Sequence, residues 1–164
     1  MSTATASLKA PLNVGDKAPG FTLSPKVKET VDVGALIGHE PIVLLFFPLA
    51  YSSVCTAEMC HMRDTWAQWE GLGAKVFGIS VDSPFVTDRF RADERIPFPI
   101  LSDFNKTVSP MYGALHEDLF GMKGVSKRSA FVIGRDGTVK YAWVSEDPSK
   151  QVPFEDVLKA LRGG

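Results

Sequence analysis

Long apolar runs are missing from this 164-residue chain: Ile42 to Phe47 gives six consecutive apolar residues before Pro48, far short of the roughly 18 to 20 a bilayer-spanning helix needs. Charge of one sign is also missing. Eighteen Lys and Arg against nineteen Asp and Glu leave a formal net charge of −1, so nothing draws the molecule as a whole toward nucleic acid or an anionic membrane, and neither partner is expected. Cysteine is scarce, with two residues, Cys55 and Cys60, too few for a disulfide scaffold. The first ten residues, MSTATASLKA, lack the charged start and apolar run of an export signal and are expected to be a flexible tail. The expected setting is therefore cytoplasmic, where thiols are catalytic or inert. With no repeat, charge block or linker in the rest, residues 11–164 are expected to form a single domain.

What is present is 45% apolar residues in short, patterned segments. Phe21 and Leu23, then Val31 and Val33, alternate with polar residues around a Ser-Pro-Lys interruption, the pattern of an antiparallel hairpin. Ile42 to Phe47 and Lys75 to Val81 read as strands covered on both faces. Between them, Cys55, Met59, Met62, Trp66 and Trp69 fall at intervals of four, three, four and three, one stripe of a helix from Cys55 to Glu70, stopped by Gly71 and Gly73. Strand, helix, strand implies parallel pairing. Another helix is expected from Pro84 to Glu94. Ser129 to Ile133 and Thr138 to Val144 flank the Arg135-Asp136-Gly137 turn signal and read as an antiparallel hairpin, and Pro153 to Arg162 reads as a closing amphipathic helix. The expected class is α/β, a thioredoxin-like fold with a mixed central sheet flanked by helices and an N-terminal β-hairpin.

In such sheets ligands gather beyond the carboxyl ends of the strands, and Pro48 to Cys55 leaves the first central strand at that end. A cysteine in the first turn of a helix faces unpaired backbone N–H groups and the positive end of the helix dipole, which stabilise a thiolate. Ser52, three residues earlier, can turn its hydroxyl toward the sulfur, and the N–H groups of Val54 and Cys55 are helix-start donors. Pro48 is placed to shield the sulfur from water. The cation missing from this loop is best supplied by Arg128, directly before the strand Ser129 to Ile133.

Pro48-x-x-x-Ser52-x-x-Cys55 resembles the P-x-x-x-T/S-x-x-C signature of peroxiredoxins, thiol peroxidases on a thioredoxin-like fold. The likeness extends from Val14-Gly15-Asp16-Lys17-Ala18-Pro19-Gly20-Phe21-Thr22-Leu23 through Leu101-Ser102-Asp103 to Arg128-Ser129-Ala130-Phe131-Val132-Ile133. It implies that Cys55 is the peroxidatic cysteine, that Ser52 and Arg128 hold the peroxide, that Pro48 lines the pocket, and that Glu58 is a supporting carboxylate. No metal or organic cofactor is implied. Phe46 to Ala50 and Leu101 to Phe104 look most like the alkyl hydroperoxide reductase E subgroup, whose members often use one cysteine. The Cys55-x-x-x-x-Cys60 spacing instead resembles the bacterioferritin-comigratory, or Q-type, members, in which the second cysteine resolves the sulfenic acid as an intramolecular disulfide. Partners implied are a peroxide, a thioredoxin-, glutaredoxin- or small-thiol-type reductant, and a second copy in a homodimer with Tyr51 near its face.

Residues five apart in an intact helix are about 8.6 Å apart at Cα, whereas a disulfide needs less than about 7 Å. A resolving Cys60 therefore requires the start of the helix to unwind, and the alternative is a buried cysteine without redox duty. Cys55, Cys60 and His61 do not make a zinc site, since neighbouring helix positions point about 100° apart. Two other functions compete: a general thiol–disulfide oxidoreductase, disfavoured by the missing C-x-x-C, and a non-catalytic holdase or interaction module.

Overall fold

The computed structural model describes residues 11–163; the expected tail over residues 1–10 lies outside the described residues. A two-stranded antiparallel hairpin, β1 (Thr22–Leu23) and β2 (Val31–Asp32), is followed by a 3-10 turn over Val33–Ala35, so Val33 turns away where the alternation had suggested continued strand. A five-stranded sheet then holds β3 (Ile42–Phe46), β4 (Lys75–Ser80), β5 (Ile100–Ser102), β6 (Ser129–Ile133) and β7 (Val139–Val144) in the order β5-β4-β3-β6-β7. β3, β4 and β5 are mutually parallel, while β6 and β7 run antiparallel. This is the mixed sheet of a thioredoxin-like fold.

The central strands are apolar because both faces are covered. Every residue of β3 and of β6 is buried. Val43, Leu45 and Phe47 join a cluster with Cys55, Met59, Phe90, Val157 and Leu158 on one face. Ile42, Leu44 and Phe46 join Phe21, Val33, Val108 and Tyr112 on the other. The long helices lie on the first face: α1 (Ser53–Asp64), α3 (Pro84–Glu94) and α5 (Phe154–Gly163). The second is closed by the hairpin, the 3-10 turn and the one-turn α4 (Val108–Met111).

The helix expected over Cys55 to Glu70 is two helices, α1 and then α2 (Trp66–Gly71), broken at Thr65. The physical reason is local. The Thr65 hydroxyl donates to the His61 carbonyl at 2.8 Å and accepts from Trp69 Nε1 at 3.1 Å, the side-chain competition by which threonine bends helices. The apolar stripe survives the break, with Cys55, Met59, Met62 and Trp69 fully buried. α3 begins as expected, with the Ser83 hydroxyl accepting from Val86 N–H ahead of Pro84. The β6–β7 turn closes through Gly137 N–H to the Gly134 carbonyl, with Gly137 at φ +84°. The antiparallel register that pairs Phe46 with Ser129 sets Arg128 level with Phe47, where β3 hands the chain to the loop before α1.

Candidate active site

The loop from Phe47 to Ser52 is held by contacts that anchor the start of α1. Phe47 N–H donates to the Ile79 carbonyl at 3.0 Å, and Ala50 N–H donates to Asp82 Oδ2 at 2.7 Å, the same oxygen that accepts from the Ser80 hydroxyl. Tyr51 adopts φ +70°, a left-handed conformation costly for a non-glycine residue. It is secured by its hydroxyl donating to Asp93 Oδ2 at 2.7 Å and by an edge contact with Phe90. Burial and the neighbouring Asp93 push its phenol up to about 12.

Ser52 is the N-cap of α1, in extended conformation, but its side chain does not cap the helix. Its exposed hydroxyl donates to the Leu49 carbonyl at 3.0 Å, not to the sulfur pocket. The N–H groups of the first turn therefore lack a side-chain partner from the cap position, and the helix N-terminus remains a donor surface.

Cys55, in that first turn, is completely buried, and Pro48 is buried in the loop leading to it. Arg128, 1% exposed, spans three acceptors. Its Nη2 donates to Cys55 Sγ at 3.1 Å, its Nη1 pairs with Glu58 Oε1, and Nε and Nη2 donate to the Pro148 carbonyl at 3.2 and 3.0 Å. Burial alone works against the guanidinium's charge, but Glu58 and the Cys55 sulfur outweigh it and raise the affinity of Arg128 for its proton. Burial pushes the Glu58 carboxyl up to about 7, against the pull of Arg128, and Glu58 Oε2 has no hydrogen-bond partner. A fixed cation thus lies against a buried sulfur at a helix start, the arrangement that stabilises negative charge on that sulfur and on an atom reacting with it.

Cys60 is a free, half-buried thiol on another side of α1. Its Sγ donates to Glu94 Oε1 at 3.4 Å, and burial, followed by that carboxylate, pushes the thiol up. The structure thus brings Cys55, Arg128 and Glu58 together, with Pro48 buried on the approach, but leaves Ser52 turned to the backbone and Cys60 engaged elsewhere. Sequence reasoning missed Pro148, Asp82 and Glu94. Pro148 contributes a backbone carbonyl, which residue identity does not advertise. Asp82 was signalled weakly by its position just beyond a strand carboxyl end.

Comparison with known proteins finds relatives along most of the chain. Residues 14–142 match the model of the AhpC/TSA family. The chain is 32% identical over 154 residues to alkyl hydroperoxide reductase E of Mycobacterium bovis, covering 92% of this chain and 98% of that protein. It is 36% identical over 135 residues to the putative peroxiredoxin bcp of Coxiella burnetii, covering 80% and 88%. The crystal structure of peroxidoxin BcpB from Mycobacterium tuberculosis superposes with a TM-score of 0.80 at 31% identity, covering 92% of this chain and 96% of that one.

Proposed function

The chain belongs to the AhpC/TSA family of thiol peroxidases, and from that premise we propose that Cys55 reduces hydrogen peroxide and organic hydroperoxides. The observation that carries the reading is the Arg128 guanidinium, 3.1 Å from Cys55 Sγ and braced by Glu58 and the Pro148 carbonyl. The Cys55 thiolate attacks one peroxide oxygen in line. The O–O bond breaks, and the departing oxygen takes up negative charge, picks up a proton from solvent and leaves as water or an alcohol. Arg128 and the first-turn N–H groups stabilise that charge, and the Ser52 hydroxyl, released from the Leu49 carbonyl, donates to the bound peroxide. Pro48 keeps bulk water from the sulfur. Because Cys55 has no exposed surface at rest, the substrate shifts the exposed Tyr51–Ser53 segment as it docks.

The product on Cys55 is a sulfenic acid. Cys60 then attacks it to give an intramolecular disulfide and water, and a thioredoxin-, glutaredoxin- or small-thiol-type reductant restores both thiols. The five-residue spacing within α1 requires the helix start to unwind for this step. A cytoplasmic setting suits two free thiols, and among the described residues no helix is long and apolar enough to cross a membrane. A homodimer suits the exposed aromatic surface of Tyr51 beside the site and of Phe85 and Phe120.

The test is peroxide consumption with a thiol reductant: the wild type turns over and Cys55→Ser does not. Activity surviving in Cys55→Ser, or reduction of insulin disulfides without peroxide turnover, contradicts the proposal.

A further inference from the structure

Building on the reading that Cys60 resolves the Cys55 sulfenic acid, we propose that Glu94 is the proton acceptor for Cys60 in that step.

Asp93 and Glu94 occupy the last turn of α3, where the helix dipole disfavours negative charge. Residues that break a local rule are expected to be compensated or functional, and each of these acids has a specific partner. Asp93 accepts from the Tyr51 hydroxyl and from Arg89 Nε. Glu94 accepts from Cys60 Sγ at 3.4 Å, and its own carbonyl accepts from Arg63 Nη1 at 2.7 Å. The end of α3 thereby grips α1 at Cys60 and Arg63.

A thiol is a poor nucleophile until it loses its proton, and the groups acting electrostatically on Cys60 are Arg63 and Asp64 on α1 and Glu94 on α3. Of these, Glu94 holds the S–H hydrogen bond. A nucleophile and a base within hydrogen-bond reach, with the base's helix pinned by a third group, form the arrangement that activates weak nucleophiles. As the Cys60 sulfur bonds to the Cys55 sulfur, its proton passes to Glu94 Oε1. The Cys55 S–O bond breaks, and the departing hydroxide takes that proton and leaves as water. The sulfenic sulfur of Cys55, already oxidised by the peroxide, and the thiol sulfur of Cys60 both end at the disulfide level, the sulfenic oxygen ends in water, and no further oxidant is needed.

The test mixes the reduced full-length protein with one equivalent of hydrogen peroxide, quenches with acid at set times and reads intact mass. Gain of one oxygen reports Cys55 oxidation; a net loss of two hydrogens reports the disulfide. In Glu94→Gln, which keeps an acceptor but not a base, oxygen gain proceeds within about twofold of wild type while the disulfide step slows roughly 10²-fold at neutral pH and speeds about tenfold per pH unit as hydroxide replaces the lost base. Glu94→Asp recovers part of the rate. A disulfide step in Glu94→Gln that is as fast as wild type, or faster, with an unchanged pH profile overturns the role of Glu94. A wild type that gains oxygen and never loses two hydrogens overturns the prior reading of Cys60 and the proposal with it.

Discussion

Arg128 and Cys55 are 73 residues apart in the chain and 3.1 Å apart in space, joined by a guanidinium nitrogen and a buried sulfur. The contact follows from the antiparallel pairing of β3 with β6, which sets Arg128 beside the exit of β3. Its planar fork serves the sulfur, Glu58 and the Pro148 carbonyl at once, which a single ammonium cannot do. Arg128→Lys should therefore slow Cys55 oxidation about 10² to 10³-fold in stopped-flow measurements with hydrogen peroxide. A loss under threefold would show that the guanidinium is dispensable.

Glu58 gives the site a pH dependence with a definite sign. Burial pushes its carboxyl in the folded protein up to about 7, so the folded protein holds the carboxyl proton more tightly than the unfolded chain. That contribution to stability is complete below the unfolded value and is lost as pH rises through about 7. Urea unfolding of wild type and Glu58→Gln at several pH values should show the wild type losing stability relative to the variant as pH rises across that window. Parallel curves would refute the coupling.

If α1 opens to let Cys60 reach Cys55, the backbone must report it. Amide hydrogen exchange between Ser52 and Arg63 should be faster in the peroxide-treated protein than in the reduced one, and Cys60→Ser should abolish the difference while gaining oxygen instead of losing hydrogens. Equal protection in both redox states contradicts the unwinding.

Gly78 in the middle of β4 links the core to the site. A Cβ there would meet Ile100 Cδ1 at 2.7 Å and lie against Phe47 Cε1 at 3.4 Å and Met59 Sδ at 3.5 Å, residues that back the loop and α1. Gly78→Ala should cost about 1–3 kcal/mol through overpacking, measured by chemical denaturation, and should slow Cys55 oxidation by displacing the start of the helix. Wild-type stability would mean that Ile100 yields freely.

The parts of this account legible in the sequence are those that depend on local periodicity or on a residue's place relative to a strand end. The runs of β3 and β6, the stripe of α1 and the position of Arg128 just before β6 are of this kind. The break at Thr65 escaped because the stripe continues across it and the cause is one hydroxyl bonded at both ends. β5 and α4 escaped because three and four residues hold too little period to read. Ser52 is the N-cap of α1, and its hydroxyl, expected to face the sulfur, donates to the Leu49 carbonyl, a choice that residue type does not determine. Glu94 and Pro148 enter through tertiary packing of α3 and of the segment before α5, at sequence distances of 34 and 20 from their partners.

The central claim is that the Cys55 sulfur, held against Arg128, cleaves the O–O bond. Its most direct test is the second-order rate of Cys55 oxidation by hydrogen peroxide, followed by mass on the reduced protein. Oxygen incorporation at Cys55 should be orders of magnitude faster than for a free thiol, and absent at that pace in Cys55→Ser. Oxidation at the rate of an ordinary cysteine would contradict it.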